Sequence, residues 1–164
     1  MWPLVEHQIE NAHMLATAEK GRPRSASLRR AVSTAYYAVF QAVCATCADA
    51  LVGSEKPWEL LTPVFRAPDH YRTAQALLQG PPATTPELQR LGLRFSELLV
   101  AREWAGYNPE PRPGYKAATN DSAFTREEAL RLIESAAEAI EIIDGLDTDT
   151  RLNLALRLAV RTRK

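Results

Sequence analysis

The sequence predicts an all-α protein, an up-and-down bundle of about five helices that forms one domain over residues 1–164. Two observations predict this class. Apolar side chains recur at helical spacing in several long segments that prolines and glycines separate. No segment of useful length alternates apolar with polar side chains, as a half-buried strand would. With 164 residues and 46% hydrophobic content, the chain is long enough to bury one compact core.

Two long helices are predicted in the first third of the chain. The first spans residues 3–19 and stops before Gly21, which is a typical residue after a helix end. The second begins at Ser25 or Ser27, because either hydroxyl can cap the free N–H groups of a first turn. It continues up to Gly53.

Three prolines divide the stretch after the second helix into short pieces. After this stretch, four further helices are predicted, over residues 70–79, 86–106, 126–144 and 149–162. Asp69 and Thr85 stand at the N-cap positions of the first two. Thr125, with Glu128 three residues later, forms a capping box for the third, and Gly145 ends it.

Charge is balanced overall but unevenly distributed along the chain. Twenty basic and twenty acidic residues cancel, so the net charge does not indicate a nucleic-acid partner. Residues 22–30 contain four arginines and no acid, whereas residues 127–149 contain eight acids. From about residue 149 the chain becomes basic again, which predicts a basic C-terminal helix or tail. One surface patch can therefore be basic although the sum is zero.

The composition favours a cytoplasmic protein that is not inserted in a membrane. The first ten residues contain two glutamates and neither lysine nor arginine, unlike a secretory signal. The most apolar run, residues 35–52, is rich in alanine and includes polar side chains, which is typical of a buried core helix. Cys44 and Cys47 are interpreted as small core residues. No set of histidines and cysteines has metal-ligand spacing, so neither a metal nor another cofactor is predicted.

Arg102 lies where helical periodicity predicts an apolar side chain. At about 100° per residue, it falls on the same stripe as Leu91, Phe95 and Leu98. An arginine is rarely buried without a partner, because an unpaired charge in a dry core is very costly. We therefore expect a polar cleft, an acidic partner or a second subunit at this level of the bundle. The alternative is a helix-end arginine whose charged group reaches water.

Tyr107 and Asn108 follow Arg102 at the predicted end of the same helix. A phenol and an amide are thus expected beside the guanidinium. The planar fork of an arginine side chain matches the geometry of a phosphate group. The favoured interpretation of this segment is an anion-binding site.

The second predicted helix carries two distinct faces. Arg29 and Tyr36 share its apolar stripe, with the arginine at the N-terminal end. The opposite face consists of small residues that let another helix approach closely: Ala31, Ala38, Ala42 and Ala45. The sequence leaves open whether that other helix belongs to the same chain or to a second copy.

Two segments resemble motifs of one helical family. LRRAVSTAYYAVF (Leu28 to Phe40) resembles the second-helix motif of bacterial HEPN-domain proteins. AREWAGYNP (Ala101 to Pro109) resembles the motif of one branch of that superfamily, in which an arginine is followed by four residues and a tyrosine. The resemblance implies a HEPN-like up-and-down helical bundle that forms a homodimer.

The same resemblance implies a function on RNA. Many family members are metal-independent endoribonucleases, often toxins or defence effectors, in which an arginine and a nearby histidine act at the dimer cleft. Arg102 matches the arginine, Tyr107 stands in place of the histidine, and Glu103 replaces a small polar residue. A tyrosine is a poor base at neutral pH, so binding without cleavage is an equal expectation. The implied catalytic residues are Arg102 and Tyr107, and the implied substrate-binding residues are Asn108, Arg29, Arg30 and Tyr36.

Two other functions stay open at this stage. The chain can be a non-catalytic interaction module paired with a nucleotidyltransferase-type antitoxin partner, in which case the small-residue face and the basic tail are the contact surfaces. It can also be a purely structural helical protein, in which case Arg102 pairs with a carboxylate of the first helix or of the helix after residue 125.

Overall fold

The computed structural model describes residues 2–78, 85–107 and 124–159 of the chain. All regular secondary structure in these ranges is helical, which confirms the predicted all-α bundle. The helices are α1 (Pro3–Thr17), α2 (Ser25–Val52), α3 (Trp58–Phe65), α4 (His70–Leu78), α5 (Pro86–Tyr107), α6 (Arg126–Gly145) and α7 (Thr148–Ala159). The described residues form seven helices where about five were expected. Six of them correspond to predicted segments, and α3 is an additional helix in the stretch that the prolines divide.

The longest helix, α2, is the central element of the bundle. It packs against α1, α3, α5, α6 and α7. Its small-residue face lies inside the chain: Ala31, Ala38, Ala42 and Ala45 are all buried. This settles the alternative left open by the sequence, since the neighbours of that face are helices of the same chain and no dimer seam can run along it.

The composition of α2 alone does not distinguish a core helix from a membrane span. Among the described residues it is the one helix long and apolar enough to cross a membrane. In the bundle, however, 56% of its most apolar window is buried against other helices. The position of α2 is thus that of a central core helix, as the alanine-rich composition indicated.

A carboxylate from the preceding loop, and not a serine side chain, caps the start of α2. The N-cap residue is Arg24, and neither Ser25 nor Ser27 caps the helix, contrary to the prediction. Instead, the Glu19 carboxylate accepts hydrogen bonds from the Arg24 backbone N–H and the Ser27 hydroxyl, both at 2.6 Å. These bonds lower the pKa of Glu19 from 4.5 to about 2. Helix α1 ends at Thr17 and so leaves Glu19 in the loop that it caps.

The ends of α6 are also fixed by side chains. Thr125 is the N-cap and accepts a hydrogen bond from the Glu128 N–H at 3.1 Å, which confirms the predicted cap. At the other end, the Arg151 guanidinium of α7 donates to the backbone carbonyls of Leu146 and Asp144, at 2.8 and 2.6 Å. The basic segment after residue 149 therefore docks as a helix as far as Ala159, and residues 160–164 lie outside the described residues.

A glycine permits the close approach of α4 to α5. Gly92 is buried in α5, and a Cβ atom added there would lie 3.1 Å from the backbone carbonyl carbon of Leu77 in α4. Any larger residue at this position would have to displace α4.

Candidate functional site

The Arg102 guanidinium is held by two phenol groups. Its Nη2 atom donates a hydrogen bond of 2.7 Å to the Tyr37 hydroxyl and makes a longer contact of 3.5 Å with the Tyr107 hydroxyl. The Cζ atom also lies 5.4 and 5.2 Å from the centres of these two rings, within cation–π range. The side chain is partly buried, and it is neither free in water nor sealed in the core.

The described partners of Arg102 are neutral. None of the ion pairs within residues 2–78, 85–107 and 124–159 includes it. The nearest acid in the chain, Glu103, accepts a hydrogen bond from the Tyr71 hydroxyl of α4 instead. Partial burial opposes the charge of Arg102, but the Tyr37 and Tyr107 hydroxyls outweigh it and raise the pKa of the guanidinium. The purely structural alternative, a carboxylate partner from α1 or α6, is thus not realised among the described residues.

An open pocket surrounds the arginine. Its volume is about 540 Å³, and its lining residues are Tyr71, Arg102, Glu103, Trp104 and Tyr107. Two of these aromatic side chains are largely exposed, Tyr71 at 68% and Tyr107 at 74%. Aromatic faces that are open to solvent beside a single guanidinium can stack on planar groups of a ligand while the arginine contacts an anionic group.

A histidine from α4 lies next to Tyr37, the hydrogen-bond partner of Arg102. The His70 ring packs against Phe40 at a tilt and meets Tyr37 edge-on, with ring centres 4.2 and 6.1 Å apart, and its Nδ1 atom lies 2.6 Å from the Tyr36 hydroxyl. Partial burial and the positive charge of Arg102 lower the pKa of His70 below its usual 6.5. The histidine is therefore uncharged at neutral pH and close enough to Arg102 for the two to interact electrostatically.

Tyr36 supports the site from inside the bundle. Its side chain is fully buried, and burial raises the pKa of the phenol far above its usual value of 10. Tyr36 was predicted to bind substrate, but a buried ring can affect a ligand only through the residues that it contacts. The tyrosine that meets Arg102 is its neighbour, Tyr37.

The other predicted substrate-binding residues are placed differently from one another. Arg29 donates from Nη1 to the backbone carbonyls of Trp104 and Ala105, at 3.2 and 3.3 Å, and so holds the last turn of α5 against α2. Arg30 is exposed on α2. Asn108 lies outside the described residues. Contact of Arg29 or Arg30 with a substrate stays a prediction.

Sequence reasoning missed His70 and Tyr37. His70 was assigned no role, because nothing in the sequence indicates that the first turn of α4 lies against the two tyrosines of α2. Tyr37 was overlooked because only Tyr36 falls on the centre of the apolar stripe. The sequence offered one signal near His70, the acid Asp69 directly before it. In the structure Asp69 is the N-cap of α4, and its carboxylate accepts a hydrogen bond of 2.9 Å from the Arg72 N–H.

The two cysteines and the metal-ligating residue types give no second site. Cys44 and Cys47 are buried in α2, as predicted, and burial raises the pKa of each thiol to about 12. In the part of the chain that the structure describes, no group of three or more histidine, cysteine, aspartate or glutamate side chains could hold a metal ion.

Comparisons with known proteins identify no relative of this chain. No protein-family model matches it, and neither the curated proteins nor the solved structures give a significant match. A function must accordingly be argued from the arrangement of residues around Arg102, together with the resemblance of two short segments to HEPN-domain proteins.

Proposed function

We propose that this chain is a HEPN-like RNA-binding or RNA-processing protein that acts as a cytoplasmic homodimer, with Arg102 as its phosphate-binding residue. The observation that carries the proposal is a partly buried guanidinium whose described partners are two phenols and no carboxylate. A charge in that position can bind an anion from solution, because no carboxylate of the described residues forms an ion pair with it.

The guanidinium retains donors for a ligand. Both described hydrogen bonds of the Arg102 guanidinium come from Nη2, so Nη1 and Nε have no partner among the described residues. A phosphate oxygen pair can accept from two such N–H groups at once, which gives direction as well as affinity. Tyr37 contributes by fixing where the fork points. Its hydroxyl does not compete with an anion as a carboxylate would.

The aromatic side chains favour a single-stranded nucleic acid over a simple anion. Unstacked bases bind to exposed aromatic faces, and each such contact contributes roughly 1–3 kcal/mol. Tyr71 and Tyr107 offer exposed rings beside Arg102, and Trp104 lines the same pocket. RNA is the proposed ligand because the resemblance of the two segments to HEPN-domain proteins implies it, and because single-stranded RNA presents bases in this way.

One copy of the pocket carries little net charge. Arg102 and Glu103 both line it and cancel, so a single copy supports modest affinity. A homodimer that brings two Arg102 side chains to one cleft, as the HEPN resemblance implies, would double the number of phosphate contacts. The oligomeric state, measured by light scattering with and without RNA, tests this part of the proposal.

Binding is tested with a dye-labelled single-stranded oligoribonucleotide and two arginine variants of α5. Arg102→Met removes the charge but keeps an apolar side chain, and Arg90→Met makes the same change at an exposed position outside the pocket. Loss of a charge-assisted hydrogen bond of about 1.5–3 kcal/mol weakens binding roughly 10- to 100-fold. The salt dependence of log K should also become shallower by about 0.7 per lost phosphate contact.

The two variants separate a site from general charge attraction. Weak binding by Arg102→Met with wild-type binding by Arg90→Met supports the proposal. No binding by the wild type, or equal losses in both variants, contradicts it. A matched oligodeoxyribonucleotide and an RNA duplex show whether the pocket prefers single-stranded RNA.

Cleavage is a separate question, answered by following the same RNA on denaturing gels in the presence of EDTA. Products that appear with the wild type and not with Arg102→Met identify a metal-independent ribonuclease. Intact RNA, together with Arg102-dependent binding, identifies an RNA-binding protein without turnover.

The alternative, a non-catalytic module paired with a nucleotidyltransferase-type antitoxin, has lost one of its two expected contact surfaces. The small-residue face of α2 is covered by helices of the same chain. The basic segment is docked as α7 as far as Ala159, where Arg157 donates to the backbone carbonyl of Ala76. No described feature favours this alternative over RNA binding.

A further inference from the structure

We infer that His70 is a second ligand-binding residue of the Arg102 pocket and that it binds a phosphate group as an imidazolium, so that ligand binding takes up one proton. The inference rests on the proposed function, because it assumes that an anion binds at Arg102. It assigns a specific role to a residue that lies 32 positions away in sequence and on a different helix.

Arg102 and His70 lie against one tyrosine ring. The Arg102 Cζ atom is 5.4 Å from the centre of the Tyr37 ring, and the His70 ring centre is 6.1 Å from the same point. His70 is also fixed from the other side by Phe40, at 4.2 Å between ring centres. The imidazole is thus held in a defined place next to Tyr37, the hydrogen-bond partner of Arg102, and its orientation does not need to be created by the ligand.

The hydrogen bond to Tyr36 determines which nitrogen of His70 can meet a ligand. Tyr36 is fully buried, and burial keeps it a neutral phenol whose one described acceptor is His70 Nδ1. If the phenol donates there, the proton of the neutral imidazole resides on Nε2. Nε2–H has no partner among the described residues. The nitrogen that remains for a ligand is therefore a hydrogen-bond donor, which suits an oxyanion.

The charged groups around His70 set the direction of the proton linkage. Partial burial and the charge of Arg102 oppose protonation of the imidazole, whereas Asp69 and Glu103 favour it. A bound phosphate group cancels the effect of Arg102 and raises the pKa of His70. When the imidazole takes up its second proton, Tyr36 rotates its hydroxyl hydrogen away and accepts the new Nδ1–H.

The expected consequence is a pH-dependent affinity with a known sign. Between the low pKa of free His70 and its higher pKa in the complex, binding is coupled to uptake of one proton. Affinity therefore decreases as pH rises through the pKa of the complex, by up to about tenfold per pH unit. Above that pKa the contribution of the imidazolium is lost, and the neutral Nε2–H remains as a weaker donor.

The experiment measures the affinity of an oligouridylate with hydroxyl ends from about pH 5 to pH 8 at constant ionic strength. This probe carries internal phosphodiesters and uracil bases, neither of which titrates in that range. The wild type should bind more weakly as pH rises. His70→Gln, whose amide can still accept from Tyr36, should lose this slope. His7→Gln, an exposed histidine change on α1, should retain it.

The outcomes separate this inference from the proposed function. Arg102-dependent binding with the same pH slope in the wild type and in His70→Gln overturns the inference and leaves the RNA site intact. Absence of binding at every pH overturns both. Should His70→Gln fail to fold, the imidazole nitrogen chemical shifts of the wild type give the same information. They should report the Nε2–H form without RNA and an increased pKa with it, and an unchanged pKa contradicts the inference.

Discussion

The hydrogen bond between Tyr36 and His70 can be tested without any assumption about function. Tyr36→Phe removes one oxygen atom from the interior and leaves the ring in place against Tyr37, Phe95 and Phe40, with ring centres 5.5, 5.5 and 6.2 Å away. Since the ring packing is unchanged, the variant isolates the 2.6 Å bond to Nδ1.

The expected loss follows from the burial of the two partners. A typical hydrogen bond contributes about 0.5–1.5 kcal/mol to stability, and the loss is larger where the remaining partner is buried and unsatisfied. Tyr36 is fully buried but His70 only partly, so water can reach the released Nδ1 in part. We expect a loss of about 1 kcal/mol, which lowers Tm by roughly 2–4 °C in a chain of this size.

The matched control is Tyr71→Phe, which removes a hydroxyl that bonds Glu103 at the surface. A substitution at so exposed a site should change stability by less than about 0.5 kcal/mol. Urea unfolding followed by circular dichroism measures both. A double-mutant cycle of Tyr36→Phe with His70→Ala should give a coupling energy near 1 kcal/mol. Equal losses in the two phenylalanine variants, or an additive cycle, would refute the bond.

Three further outcomes are expected. Gly92→Ala should lower the free energy of unfolding by up to about 2 kcal/mol in urea, because overpacking against Leu77 costs more than the roughly 1 kcal/mol gained in helix propensity. Stability that depends on Glu19 is fully present above its unfolded pKa of 4.5 and is lost as pH falls towards about 2; acid unfolding of Glu19→Gln should lack that component. Cys44 and Cys47 should react with a thiol reagent only in denaturant, since both thiols are buried and have a pKa of about 12.

Most of the fold follows from local sequence rules. Helical spacing of apolar residues, with proline and glycine between the segments, gave α2 its observed end at Val52 and α5 its observed start at Pro86. The prediction of a helix cap was wrong where a side chain outside the helix took the place of the expected capping residue. Two serines suggested the cap of α2, but the carboxylate of Glu19, in the preceding loop, supplies it. Capping by a residue of the preceding loop depends on the path of that loop, which periodicity does not contain.

The sequence allowed prediction of the site residues that lie on α5, but not of those that other helices bring to Arg102. Periodicity along α5 placed Arg102 on the wall that faces the bundle, and the structure has it partly buried there. Adjacent residues differ by about 100° around a helix, so the choice between Tyr36 and Tyr37 required the angle at which α2 meets α5. His70 lies near Arg102 only because the first turn of α4 meets the aromatic side chains of α2, a tertiary contact without a sequence motif.

The kind of partner given to Arg102 is the strongest physical argument for a ligand. A carboxylate would stabilise the charge more effectively, but it would also neutralise the guanidinium and occupy the donors that an anion needs. Tyr37 and Tyr107 orient the side chain through neutral hydroxyls and ring faces, and leave its charge available. An apolar side chain at position 102 would pack better against the core of the bundle. The charged side chain found there conflicts with this local packing, and such conflicts are expected at a preorganised binding group.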